Sequence, residues 1–238
     1  MNFIYNFTAH LTFFFLRTYA LFNPKMKLFV NGREETFQHL SSIKSEDRTI
    51  WFHVASLGEF EQAIPIIEST KDSWQDHKII VTFFSPSGYE IRKNSNLADI
   101  ICYLPFDTKE NMKRFVAIVH PEIAIIVKYE FWPNLLRQLK KQSIPTILVS
   151  GIFRKNQIFF KSTGKWMRKS LTAFHHFFVQ DSSSMDLLES INFNTVSITG
   201  DTRFDRVSKI LEQDNTLPFI SEFKNKKYTI VAGSTWNE

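Results

Sequence analysis

Seven short apolar runs, separated by stretches of helical spacing, constrain this 238-residue chain more than any other feature. They are TIWFHVAS (49–56), KIIVTFF (78–84), DIICYLP (99–105), IAIIVKY (123–129), PTILVSGIF (145–153), FHHFFVQ (174–180) and TVSITG (195–200). A strand with one solvated face alternates polar and apolar residues, and these runs do not. They are β-branched or aromatic almost throughout, as strands buried on both faces of a parallel sheet are. Between them EFEQAIPIIEST, KENMKRFVAIV, NLLRQLKKQ and SSMDLLESI read as helices, and the third and fifth connections read as looser. The βαβα rhythm predicts an α/β fold with a doubly wound parallel sheet, spanning 25–208 after a polar stretch at 31–48.

The N-terminal segment is a separate problem. Residues 3–22, FIYNFTAHLTFFFLRTYALF, are enough to cross the roughly 30 Å hydrocarbon core as a helix, but Asn6, His10 and Arg17 interrupt the run. Spanning the bilayer and lying on it both stay open, as does packing on the protein itself. Arg17, near one end, can snorkel to the headgroups. No Lys or Arg precedes the segment, whereas Lys25, Lys27 and Arg33 follow it. That bias predicts a membrane-associated anchor over 1–24 with the domain on the cytoplasmic face. The absence of a basic leader and of a small-x-small site argues against a cleaved signal peptide. The net charge of +5 suits an anionic membrane surface or a phosphate-bearing substrate. Nucleic acid is not expected, because the basic residues are dispersed apart from 154–169. There, FRKNQIFFKSTGKWMRKS mixes cations with aromatics, which suits a lipid surface or lipid phosphates, single-stranded nucleic acid, or a helix face with packed rings. The single Cys102, inside IICYLPF, excludes a disulfide framework and reads as a buried thiol in a reducing compartment.

In open parallel sheets, ligands bind beyond the carboxyl ends of the strands. The turns there are Ser56-Leu57-Gly58-Glu59, Ser85-Pro86-Ser87-Gly88, Tyr129-Glu130-Phe131-Trp132-Pro133 and Gly200-Asp201-Thr202-Arg203. Glu59 falls in the first turn of a helix, where the dipole keeps a carboxylate ionised, as a general base requires; an ordinary helix-start acid has the same signature. Glu130 is a second acid at this edge, or a helix-initiating residue before Pro133. Arg203 can neutralise a phosphate or carboxylate, or form a surface ion pair. Ser56, Gly58, Ser85, Ser87, Gly88, Gly233, Ser234 and Thr235 form the expected substrate-binding set, small-residue turns that offer N–H and hydroxyl donors. No GxGxxG, Walker lysine loop, HExxH or Asp-x-Asp is present, and His53 and His175-His176 read as structural. Residues 209–226 read as a linker, and 227–238 as the first strand and turn of a further α/β domain that is cut off, since a strand with nothing after it cannot bury its faces.

Taken in order, several of these segments resemble the 3-deoxy-D-manno-octulosonic acid (Kdo) transferases. HVASLGEF (53–60) resembles their His-x-x-Ser-x-Gly-Glu signature, FFSPSGYE (83–90) their Thr-x-Thr-Gly segment and YLPFDT (103–108) their Tyr-Leu-Pro-x-Asp stretch. KYEFWPN (128–134) resembles Glu-Leu-Trp-Pro-Asn, and SGIFRKN (150–156) falls on a strand end and loop of the family. The stretch 179–205, ending GDTRFD, resembles a segment ending Gly-Asn-Leu-Lys-Phe-Asp, and VAGSTWNE (231–238) the Ala-Gly-Ser-Thr opening of a second domain. The resemblance implies the N-terminal, Rossmann-like half of a B-type glycosyltransferase. It implies CMP-Kdo as donor, lipid IVA as acceptor, the inner membrane surface as partner, and neither a cofactor nor a catalytic metal. Glu59 falls on the family's general base and Glu130 on a transition-state stabiliser. Arg203 falls where the family has a lysine, which keeps the charge but changes the head-group geometry. With most of the donor domain missing, little or no transfer is expected from these 238 residues alone. A non-catalytic lipid-binding module is the alternative. Another B-type glycosyltransferase or an epimerase would share the fold but not the ordered motifs.

Overall fold

The computed structural model describes residues 2–212 and isolated positions between 214 and 235. It divides into two compact units, 1–206 and 207–238. In chain order the described helices are α1 (Asn2–Tyr19), α2 (Pro24–Glu34), α3 (Thr36–His39), α4 (Leu57–Ser73), α5 (Pro86–Arg92), α6 (Lys109–Val119), α7 (Pro133–Lys141), α8 (Lys165–Leu171), α9 (Ser182–Glu189) and α10 (Arg203–Leu211). The strands are β1 (Arg48–Val54), β2 (His77–Phe83), β3 (Ile100–Tyr103), β4 (Ile123–Val127), β5 (Thr146–Gly151), β6 (His176–Val179) and β7 (Val196–Ile198). Every strand pair is parallel, in the order β3-β2-β1-β4-β5-β6-β7.

The seven apolar runs are therefore the seven strands, with ends within two residues of those read from the sequence. They are apolar throughout because alternate side chains enter different cores. Trp51, Ile80, Ala124, Ile126 and Leu148 pack with Phe115 of α6, Leu135 of α7 and Leu188 of α9. Their neighbours Ile50, Phe52, Val81, Ile125 and Val127 pack with Phe60, Ile64 and Ile67 of α4. Helices on both faces make the sheet doubly wound. The third connection is carried by the regular helix α6; the fifth holds two single 3₁₀ turns before α8.

Two further expectations change. The stretch from 31, read as polar, contains the end of α2, α3 and a 3₁₀ turn, and it buries Arg33, Thr36 and Leu40. Arg33, counted with Lys25 and Lys27 in the basic flank, is not a surface cation, because its guanidinium is enclosed by the rings of Phe29, Phe84, Tyr103 and Phe106. Segment 153–170 takes the packed-ring alternative in part, with Phe160 and Trp166 half-buried among exposed cations. Phe153 and Phe159 are buried against Phe131, while Arg154, Lys155 and Lys161 are exposed, because the loop turns its apolar side onto the core.

The N-terminal segment forms a helix of 18 residues, and among the described residues no helix is long and apolar enough to cross a membrane. One side of α1 is docked: Phe13 and Leu16 pack with Phe29, Phe84 and Phe106, and the Tyr5 hydroxyl donates to Asp107 Oδ2 at 2.7 Å. The other side exposes Phe3, Phe7, Phe14 and Phe15, continued past the helix by Leu21 and Phe22. Of the expected strand at 227–233 and the Gly233-Ser234-Thr235 turn, positions 227, 229, 231 and 234 lie outside the described residues.

Candidate active site

The strand order reverses between β1 and β4, and the crevice beyond such a reversal is where an open α/β sheet takes ligands. Glu59 and Glu130 leave the sheet from these two strands. β1 ends at Val54, Ser56 takes extended backbone, and α4 begins at Leu57, which puts Glu59 in its first turn. The Ser56 hydroxyl donates to the Glu59 carboxylate instead of capping the helix. Gly58 is exposed, and a Cβ there would meet only the Ser56 Oγ, at 3.8 Å.

Glu130 is held more tightly. Its Oε2 accepts from the Trp132 indole Nε1 at 2.7 Å and lies 3.3 Å from His53 Nε2. Burial pushes this carboxyl up, but the contact with His53, the Trp132 N–H and the charge of Arg33 outweigh it and hold the group below the usual carboxylate range. Arg33 itself is pushed down to about 9 by burial. It remains a cation at neutral pH, donating to the carbonyls of Phe29 (2.8 Å) and Phe84 (2.6 Å). His53, fully buried in β1, also places Nδ1 2.9 Å from Thr82 Oγ1. The sequence read this strand histidine as structural, and its full burial agrees; the contact with Glu130 is what the sequence did not show.

Arg203 opens α10 and is exposed. Its Nε donates to Asp201 Oδ2 at 2.7 Å, and Asp201 in turn accepts from Gln62 Nε2 of α4 at 2.6 Å. That bond ties the turn after β7 to the helix that carries Glu59. Asp201 keeps the Arg203 guanidinium above its ordinary value, with smaller contributions from Tyr129 and Glu59. Arg203 and Glu59 thus share an electrostatic neighbourhood at the carboxyl edge, while Glu130 is held by a separate set of partners, His53, Trp132 and Arg33. Ser150, at the end of β5, adopts φ 51 and meets Thr202 Oγ1 at 2.9 Å; Lys128, at the end of β4, adopts φ 62. Left-handed backbone at non-glycine residues is costly, and these two of the five described instances fall at the carboxyl edge.

The turn after β2 has a packing role. Ser85 caps α5 by accepting from the Ser87 amide at 3.3 Å, and the two hydroxyls are 2.8 Å apart. A Cβ on Gly88 would fall 2.7 Å from the Leu57 amide nitrogen and equally close to the Phe83 ring, so glycine lets α5 approach the start of α4. Among the described residues, no group of three His, Cys, Asp or Glu side chains is placed to hold a metal ion. Arg33, Gln62 and Thr82 carried no sequence signal of a site role, because each contact joins residues far apart in the chain.

A family model described as 3-Deoxy-D-manno-octulosonic-acid transferase (kdotransferase) matches residues 31–206. The chain belongs to this family. It is 36% identical over 111 residues to the 3-deoxy-D-manno-octulosonic acid transferase of Aquifex aeolicus, covering 46% of this chain and 30% of that protein. It is 28% identical over 166 residues to the Haemophilus influenzae transferase of the same name, covering 66% of this chain and 38% of the relative. The matched part is thus well under half of these relatives. Solved structures give the fold alone. The UDP-GlcNAc 2-epimerase of Neisseria meningitidis bound to UDP-GlcNAc aligns over 75% of this chain and 53% of its own, at 13% identity and TM-score 0.54. A putative UDP-N-acetylglucosamine 2-epimerase from Listeria monocytogenes gives 11% identity and TM-score 0.55, over 74% and 51% of the two chains.

In this Kdo transferase-family domain, YLPFDT and KYEFWPN form one device. Asp107 accepts from the amides of Asn134 (3.0 Å) and Leu135 (2.8 Å), capping α7 from another loop, while its backbone carbonyl accepts from Asn134 Nδ2 at 2.6 Å. The cap fixes the start of α7 and with it the turn that presents Glu130.

Proposed function

We propose that this chain is the acceptor-side domain of a transferase that moves Kdo from CMP-Kdo to lipid IVA in lipopolysaccharide biosynthesis. In this reading Glu59 takes the proton from an acceptor sugar hydroxyl as that oxygen bonds to the anomeric carbon of Kdo. The bond from that carbon to the CMP phosphate oxygen breaks, its electron pair leaves with CMP, and the configuration inverts. Arg203 and the fixed charge of Glu130 stabilise the separating charges. The observation that carries the reading is the pair of carboxylates flanking the reversal of strand order, one in an open helix-start turn and one held by two nitrogen groups.

The exposed apolar side of α1, continued by Leu21 and Phe22 and followed by Lys25 and Lys27, suits a helix lying in the headgroup region at the cytoplasmic face of the inner membrane. An amphipathic helix docked on one side and apolar on the other fits that position better than a span.

The test is transfer from CMP-Kdo to lipid IVA by the protein that carries this sequence, with Glu59→Gln alongside. General-base loss is expected to lower kcat by about 10²–10⁴-fold. Lipid binding without transfer in the unsubstituted protein would favour a non-catalytic lipid-binding module instead.

A further inference from the structure

We infer that His53 is a positioning residue: a neutral imidazole whose Nε2–H fixes one oxygen of Glu130, with Thr82 setting its tautomer. The donors and acceptors around the ring admit this direction. The Trp51 indole can only donate, and it does so to Thr82 Oγ1 at 2.9 Å. The Thr82 hydroxyl proton is then free for His53 Nδ1, also 2.9 Å away. With Nδ1 accepting, the ring proton sits on Nε2 and points at Glu130 Oε2, 3.3 Å distant. The Trp132 N–H meets the same oxygen, and Oε1 takes no hydrogen bond among the described residues. One carboxylate oxygen is therefore pinned and the other is left to the ligand.

The side chain of His53 has no exposed surface. The groups that bear on it are Trp51 on its own strand, Thr82 of β2, Glu130 and Trp132 after β4, and Arg33 of α2, whose charge acts on Glu130. The alternative tautomer would turn Nδ1–H toward the backbone carbonyl of Thr82 at 3.2 Å and leave Glu130 one donor short.

This inference concerns the geometry and ionisation of Glu130 and needs no substrate, so it stands or falls separately from the transferase reading. The experiment is long-range ¹H–¹⁵N NMR of the histidines in the 238-residue chain, with ¹³C titration of the Glu130 carboxyl. His53 is expected as the neutral Nε2–H tautomer. Thr82→Val, nearly isosteric and out of contact with Glu130, is expected to shift His53 toward Nδ1–H. It should also raise the Glu130 titration by about one pH unit, the size of one hydrogen bond to a charged group. His53→Phe should raise it similarly, and His53→Gln, which keeps an N–H donor, should restore most of the shift. An imidazolium or Nδ1–H spectrum in the unsubstituted chain overturns the inference. So does a Glu130 titration that ignores Thr82→Val, and the spectrum of the unsubstituted chain decides even if His53→Phe does not fold.

Discussion

Glu59 and Glu130 leave the sheet from adjacent strands, but their turns are built differently. After β1, the carboxylate is met by a single hydroxyl three residues back, and the following helix has no side-chain cap. After β4, the carboxylate lies between an indole N–H and a buried imidazole, and the next helix is capped by Asp107 from a different loop. A group that accepts and releases a proton works best where substrate and water reach it. A group that serves as fixed charge works best where donors hold it in place. The two turns divide along that line, which supports the proposal that Glu59 transfers the proton and Glu130 stabilises charge.

After loss of the base itself, breaking the held side should have the largest effect. Glu130→Gln is expected to lower the kcat for transfer by about 10²–10³-fold while KM changes little, since the lost charge acts mainly in the transition state. Asp107→Ala strips the cap of α7 and the partner of Tyr5 together. Denaturant titration should show a loss of about 2–4 kcal/mol with an unchanged slope. Trp132→Phe keeps the ring against Phe84 but removes one donor to Glu130. It should raise the Glu130 titration, seen by ¹³C NMR, and slow transfer less than Glu130→Gln does. On the open side, Ser56→Ala removes only a hydroxyl, and a change in kcat below about tenfold is expected from the loss of one hydrogen bond to a charged group.

The smallest effect lies at the opposite edge of the sheet, away from both turns. Arg48 and His77 hold Glu122 down to about 2. Its folded pKa is depressed, so the unfolded chain binds more protons across that window. Its contribution to stability is present above the ordinary carboxylate range and lost as pH falls toward 2. Glu122→Gln should flatten this part of the acid-unfolding curve only slightly, because the pair is exposed.

Much of this was legible beforehand. Strands buried on both faces announce themselves by lacking alternation, as IAIIVKY does, and α6 was read at its observed limits because its apolar spacing is regular. Helix α2 was missed because its buried side consists of Phe29, Val30 and an arginine, and a buried guanidinium reads as polar until its aromatic cage is seen. The turns at Glu59 and Glu130 could be placed at the sheet edge from strand ends alone. What holds them could not. His53 meets Glu130 across 77 positions and Gln62 meets Asp201 across 139, and no local pattern encodes pairings of that range. Strand order, which decides that β1 and β4 are neighbours, is equally non-local.

The division of roles between the two carboxylates is tested most directly by the pH dependence of single-turnover transfer in three forms: unsubstituted, Glu59→Gln and Glu130→Gln. If Glu59 moves the proton, the acid limb of the profile disappears in Glu59→Gln and survives, at a lower rate, in Glu130→Gln. An acid limb that persists in Glu59→Gln and vanishes in Glu130→Gln would contradict the account and exchange the two roles.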